Sequence, residues 1–179
     1  MRARTSALAA AAATAALLAT GCGLSRDGAS PACNAARPEP LFLVAQAVPT
    51  AELVPCVIAY PGGWALGGVD VSDGRASIRL DSDRGGSGAL TVTLLDGCDV
   101  TGTIEVPTDK PGTLRYDAMP DVAKGFRGAR SYLFDGGCVT YRFDIESPRA
   151  GALVDEGSLA VGFLSRDEVR ARMERVIPS

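Results

Sequence analysis

Arg75-Ala76-Ser77-Ile78-Arg79-Leu80 and Ala89-Leu90-Thr91-Val92-Thr93-Leu94-Leu95 decide the fold class of this chain. In the first stretch Ala76, Ile78 and Leu80 fall on one side, and Arg75, Ser77 and Arg79 on the other. In the second, Leu90, Val92 and Leu94 share a side while Thr91 and Thr93 face away. Apolar and polar residues that alternate one by one mark a strand with one face on a core and one in water. Antiparallel sheets are built from such strands.

The pattern extends to both sides. Cys98 to Val106 continues it, with Cys98, Val100, Ile104 and Val106 inward, and Cys138 to Ile145 sets Val139, Tyr141, Phe143 and Ile145 on one face. Thr113 to Ala118 and Ala129 to Phe134 have strand composition. Asp73-Gly74 and Asp96-Gly97 lie between runs and predict tight hairpins, because Asp-Gly tolerates the backbone such turns need. Trp64 to Val71 reads as a strand whose alternation breaks at Gly67-Gly68, which predicts a bulge. Leu41 to Val48 is apolar and fits a strand or a short helix. Thr50 is placed to cap one helical turn through Leu53. Cys56 to Tyr60 is a short apolar run closed by Pro61-Gly62-Gly63.

The carboxy end is helical. Ser165 with Glu168 forms a capping box, and Leu164 with Val169 a hydrophobic staple. Val169, Met173, Val176 and Ile177 make one stripe, which predicts packing on the sheet. Leu153 to Gly162 lacks strand alternation and is read as a docked helix. The expected fold is α+β, mainly antiparallel β-sheet and sandwich-like, with a carboxy-terminal helix.

At the amino end, Arg2 and Arg4 precede an uncharged Ala/Leu run from Ala7 to Leu18. Small residues then lead to a cysteine, in Leu18-Ala19-Thr20-Gly21-Cys22. A positive start, a short apolar run and small residues at the cut make a secretory signal. The run falls short of the roughly 20 residues a bilayer span needs. The ending resembles the lipobox of bacterial lipoproteins, with Ala19, Thr20 and Gly21 before Cys22. That resemblance implies that residues 1–21 are removed and that Cys22 is acylated. Two acyl chains hold a protein stably at a membrane. The domain's style is similar to that of uncharacterised lipoproteins of high-GC Gram-positive bacteria, which implies an address and no activity. The expected location is therefore the extracytoplasmic face of the cell membrane.

Residues 22–40 are rich in Gly, Ser, Ala and Pro and read as a tether before a single domain at residues 41–179. Four cysteines remain beyond Cys22: Cys33, Cys56, Cys98 and Cys138. An even number outside the cytoplasm predicts two disulfides. Proximity suggests Cys33–Cys56 and Cys98–Cys138 first among three possible pairings. If Cys33 is bridged, the free tether shortens to Gly23–Ala32, which spans under about 20 Å. Removal of Arg2 and Arg4 from the 18 basic residues leaves 16 against 21 acidic ones, a net charge of −5. That balance argues against nucleic acid and against charge-driven adhesion to anionic lipid.

The chain contains no histidine. Ser-His-Asp triads, Cys-His pairs and imidazole metal sites are thereby removed. Lys110 and Lys124 are the only lysines and both read as turn residues. Asp81-Ser82-Asp83-Arg84-Gly85-Gly86 is weighed as a calcium loop, but Gly85 and Val92 stand where ligands belong, so it reads as a hairpin turn. Trp64 beside a turn reads as a core anchor rather than a ligand stacker. Arg166, Arg170, Arg172 and Arg175 fit either a partner surface or a solvated helix face. No catalytic, metal or cofactor site is expected. The leading expectation is a non-enzymatic binding or accessory module of the cell envelope. The alternatives are a hydrolase using two carboxylates, and a sensor or regulatory subunit that engages an envelope protein partner.

Overall fold

The computed structural model describes residues 30–123 and 125–176. Cys22 with its signal, Lys124 and Ile177 lie outside the described residues. In chain order the elements are α1 (Glu39–Ala47), β1 (Leu53–Val57), β2 (Trp64–Ser72), β3 (Arg75–Ser82), β4 (Gly86–Leu95), β5 (Thr103–Val106), β6 (Leu114–Ala118), β7 (Phe126–Phe134), β8 (Gly137–Ile145), α2 (Ala150–Ala160), β9 (Val161–Ser165) and α3 (Arg166–Val176). The fold is α+β and mainly antiparallel sheet, in two layers. One layer is a seven-stranded sheet in the order β2-β3-β4-β8-β7-β6-β5. The other holds the helices and the antiparallel pair β1–β9.

The chain builds the large sheet from both edges toward the middle. β2, β3 and β4 form one meander, and β5 to β8 form a second that starts at the far edge. The two meet where β4 pairs with β8. The alternation in β3, β4 and β8 behaves as the sequence implies. Ile78, Leu80, Leu90, Val92, Leu94, Val139, Tyr141 and Ile145 are all completely buried. Asp73-Gly74 closes β2 onto β3 in a two-residue hairpin, and the register shifts by one at Gly67.

Asp96-Gly97 does not close a hairpin. The place beside β4 belongs to β8, so the chain leaves the sheet there and crosses to the far edge. Cys98 to Val106 is consequently not one strand. The Asp99 carboxylate accepts the Thr101 N–H in a second turn, and only Thr103–Val106 pairs with a neighbour. Leu41 to Val48 resolves as helix α1, and Thr50 caps no helical turn, because Leu53 already begins β1. Residues 150–165 divide into helix α2 and strand β9.

The second layer packs tightly on β2, β3, β4 and β8. Leu41 and Val44 of α1 are buried over β2 and β3. Gly157 of α2 sits against Trp64 and Leu90, where a Cβ would lie only 3.0 Å from the Trp64 ring. Phe163 of β9 meets the Tyr132 and Tyr141 rings at 5.6 and 6.4 Å. The β7–β8 turn needs a glycine for two reasons. Gly136 has a φ of 73°, and a Cβ there would strike the Thr50 carbonyl.

The helix termini are satisfied from a distance. The Arg166 guanidinium donates to the Ala45, Val48 and Ala51 carbonyls, and the Gly74 N–H to the Ala47 carbonyl, so α1 ends without a capping glycine. α3 starts as expected, with the Glu168 N–H on Ser165 Oγ at 3.2 Å and the Ser165 N–H on Glu168 at 2.8 Å. It packs on α1, β1 and β9 rather than on the large sheet. Of its stripe, Val169 is buried, Met173 is half-buried and Val176 is exposed.

The domain also starts earlier than residue 41. Cys33 is bonded to Cys56, Ala32 bridges to Val57 in parallel, and Ser30 and Pro31 are buried. Residues 30–40, expected in the tether, are part of the fold because the disulfide and these backbone bonds dock them along β1.

Candidate functional site

The inner face of the large sheet is covered only in part. Across β7, β6 and β5 the same pleat that carries Tyr141 and Val139 brings Tyr132, Arg130, Arg115, Asp117, Val106 and Ile104 to the inner side. Charged residues cannot form a dry core without partners. Here they pair with one another. Arg115 donates to both Asp117 oxygens at 2.8 and 2.6 Å and reaches Asp109 at 3.3 Å. The Tyr132 hydroxyl donates to Asp109 at 3.0 Å. Arg130 donates to Ser158 Oγ of α2 at 2.9 Å and lies 3.8 Å from Asp117. Its guanidinium stands 5.5 Å from the centre of the Phe143 ring.

Electrostatics follow from this packing. The Asp117 hydrogen bonds raise Arg115 above its usual range despite partial burial. Burial pushes the Tyr132 phenol up, and the Asp109 charge adds to it. Burial also pushes the Asp109 carboxyl up. The Tyr132 hydrogen bond and the Lys110 and Arg115 charges outweigh it, so Asp109 ends below the ordinary carboxylate value. Lys110 is lowered, first by burial and further by Arg130.

Above this floor lies a groove of about 290 Å³. Ile104, Val106, Met119, Phe126 and Phe143 supply apolar walls, with Asp117 and Arg130 at the base. Ile104 is 58% exposed and Met119 79% exposed, large apolar side chains left in water around a concavity. A wider trough of about 520 Å³ runs between β1 and the ends of β6 and β7. It holds the carboxylates Glu52 and Asp135, both exposed and unpaired among the described residues.

The residues singled out in the sequence lie elsewhere. Cys98 bonds to Cys138, whose place in β8 puts it on the outer face, opposite Val139. Trp64 is buried and donates from Nε1 to Glu156 at 3.0 Å, which makes it a core anchor. Within 81–86 the Asp81 carboxylate accepts the Gly88 N–H, Ser82 Oγ accepts the Gly85 N–H, and Arg84 pairs with Glu156. Lys110 caps the end of α2 by donating to the Ser158 and Val161 carbonyls. Arg166 is spent on α1, and Arg170 pairs with Asp167. Among the described residues no His, Cys, Asp and Glu side chains gather in a group able to hold a metal ion.

Arg115, Asp117 and Arg130 escaped the sequence reading because their charges hide the period of two. Alternate positions 126, 128, 130 and 132 hold Phe, Gly, Arg and Tyr, which no hydrophobicity count assigns to one inner face. No family model, no curated protein and no solved structure matches this chain.

Proposed function

We propose that this chain is an extracytoplasmic lipoprotein, held at the membrane through Cys22, whose domain is a non-enzymatic binding module. Its ligand lies in the groove over β5, β6 and β7. One observation carries the reading: at the β5–β6 edge of a continuous sheet the inner face lies open, with the apolar walls of Ile104, Val106 and Met119 above a floor where Arg115 and Asp117 pair. An uncovered sheet face with exposed Ile104 and Met119 costs solubility and gains nothing for the fold. Small-molecule sites have this composition, mostly apolar with a few placed polar groups. Beside this groove the side chains that general acid–base work would recruit are engaged in structure, Lys110 on helix carbonyls and Asp109 on Tyr132 and Arg115. The address rests on the Cys22 motif. No helix among the described residues is long and apolar enough to cross a membrane.

Two measurements test this. The full chain should fractionate with membranes, and Cys22→Ser should release it or stall its processing. Retention of a processed Cys22→Ser chain overturns the anchor. A neutral solvatochromic dye should bind one site on the full chain, and Ile104→Asp should abolish that signal. Unchanged dye binding by Ile104→Asp overturns the groove.

A further inference from the structure

Within the groove, one cation keeps donors to spare. The cluster at its floor holds three cations, Lys110, Arg115 and Arg130, against two carboxylates, Asp109 and Asp117. Both carboxylates are occupied. Asp117 is gripped by two Arg115 nitrogens, and Asp109 takes Arg115 and the Tyr132 hydroxyl. Lys110 points its ammonium at the carbonyls that end α2. Arg130 has one short bond, to the neutral Ser158 hydroxyl, and a 3.8 Å approach to Asp117. Its side chain is 18% exposed, enough to be reached from the groove and too little to be well hydrated.

We infer that the groove takes a single-chain anionic amphiphile, with its carboxylate or phosphate on Arg130 and its hydrocarbon along Ile104, Val106 and Met119. This rests on the groove being the binding site. An anion restores the charge balance of the cluster, and a guanidinium offers the paired donors that carboxylate and phosphate oxygens accept. The Phe143 ring beneath Arg130 keeps water from one side, which strengthens that pairing. A neutral apolar ligand would desolvate Arg130 without replacing its water, and a cationic one would meet like charge. The cavity, about 290 Å³, sits at the lower bound of small-molecule sites and suits one chain rather than two.

The full chain in its membrane preparation is labelled with a photoreactive diazirine analogue of laurate, and the adducts are mapped by peptide mass spectrometry. Adducts are expected on the segments that carry Ile104, Met119 and Phe126. Unlabelled laurate and dodecyl phosphate should each compete, and dodecanol should compete roughly tenfold more weakly. The stronger competitor identifies the headgroup as carboxylate or phosphate. Arg130→Gln should weaken labelling roughly tenfold, the loss of one charge-assisted pair, and Arg130→Lys should recover part of it. If Arg130→Gln fails to fold, Ile104→Glu at the exposed wall serves instead and should abolish labelling by repelling the anionic ligand. Equal competition by dodecanol overturns the anionic reading and leaves the groove standing. Absence of adducts in these segments, with either the acid or an alcohol analogue, overturns the groove itself.

Discussion

One hydrogen-bonded sheet contains two different halves. On β3, β4 and β8 the inner face is apolar and fully buried, and α1, α2 and β9 roof it together with the first residues of β2. On β7, β6 and β5 the strands pair just as continuously, yet the inner face carries Arg130, Arg115 and Asp117, and Ile104 beyond them is mostly exposed. Strand pairing assigns each side chain to a face, but only a second layer turns a face into a core. The closed half supplies the buried core, and the open half leaves large apolar side chains such as Ile104 in water.

The largest contrast is in truncation. Leu90→Ala removes a completely buried side chain beneath α2 and should cost about 4 kcal/mol, the transfer loss plus the cavity left behind. Ile104→Ala changes a side chain that is already in water and should fall within about 0.5 kcal/mol of the parent. Urea unfolding of the oxidised protein measures both. Equal costs would erase the distinction between the halves.

Next in size is the Cys98–Cys138 disulfide. It ties the segment that leaves β4 to β8 and so fixes the chain as it crosses toward β5. It closes a separation of 40 residues, for which the chain-entropy model gives roughly 3–4 kcal/mol. Replacing both cysteines by alanine should lower stability by that amount. It should also release amide exchange in β5 and β6 before β3 and β4. Uniform loss of protection across the sheet would show that the crossing segment does not hold the open half.

The two halves were not equally legible in the sequence. Ala76-Ser77-Ile78-Arg79-Leu80 and Leu90-Thr91-Val92-Thr93-Leu94 announce themselves because burial writes a period of two into composition. So does the capping box at Ser165, where a local bond needs a local motif. Arg115-Tyr116-Asp117 and Arg130 follow the same pleat, but their inner face is satisfied by ion pairs rather than by apolar contact, and alternation vanishes. Asp96-Gly97 misled for a related reason. Its residues suit a hairpin, but whether a turn becomes one depends on which strand fills the neighbouring place, a long-range fact. Ile104 and Val106 fell on the inner side as expected, but the sequence held no sign that nothing covers them.

Titration should reach both halves, acid and alkali the open one through Asp109 and Lys110, and alkali the closed one through Tyr141. Asp109 sits below its ordinary value in the fold. Its contribution is therefore present above the unfolded carboxylate range and lost as pH falls through the folded value. Tyr141 is raised by burial. The folded state keeps its proton while the unfolded chain ionises, so stability falls as pH rises above the ordinary 10.0. Lys110 is lowered and acts the other way in that alkaline range, since the unfolded chain holds the proton longer. Asp109→Asn should be less stable than the parent near neutrality, with the gap closing as pH falls below the ordinary carboxylate range. Tyr141→Phe should flatten the alkaline decline. A gap that stays constant with pH would remove Asp109 from the open half's electrostatics.

The smallest effect belongs to α3, and it tests whether the halves communicate. Ser165→Ala breaks the bond from the Glu168 N–H and should cost about 1 kcal/mol. Met173→Asp should cost a similar amount, about 1 kcal/mol, because the half-buried side chain lets a new charge reach water instead of trapping it. Both losses fall on the layer over the closed half. α3 packs on α1, β1 and β9, and its one fully buried anchor is Val169. None of those contacts reaches Ile104, Met119 or Arg130. Dye binding in the groove should therefore keep its affinity in Ser165→Ala while the urea midpoint falls. Should affinity fall in step with stability, the second layer sets the shape of the open face as well, and the two halves behave as one cooperative unit.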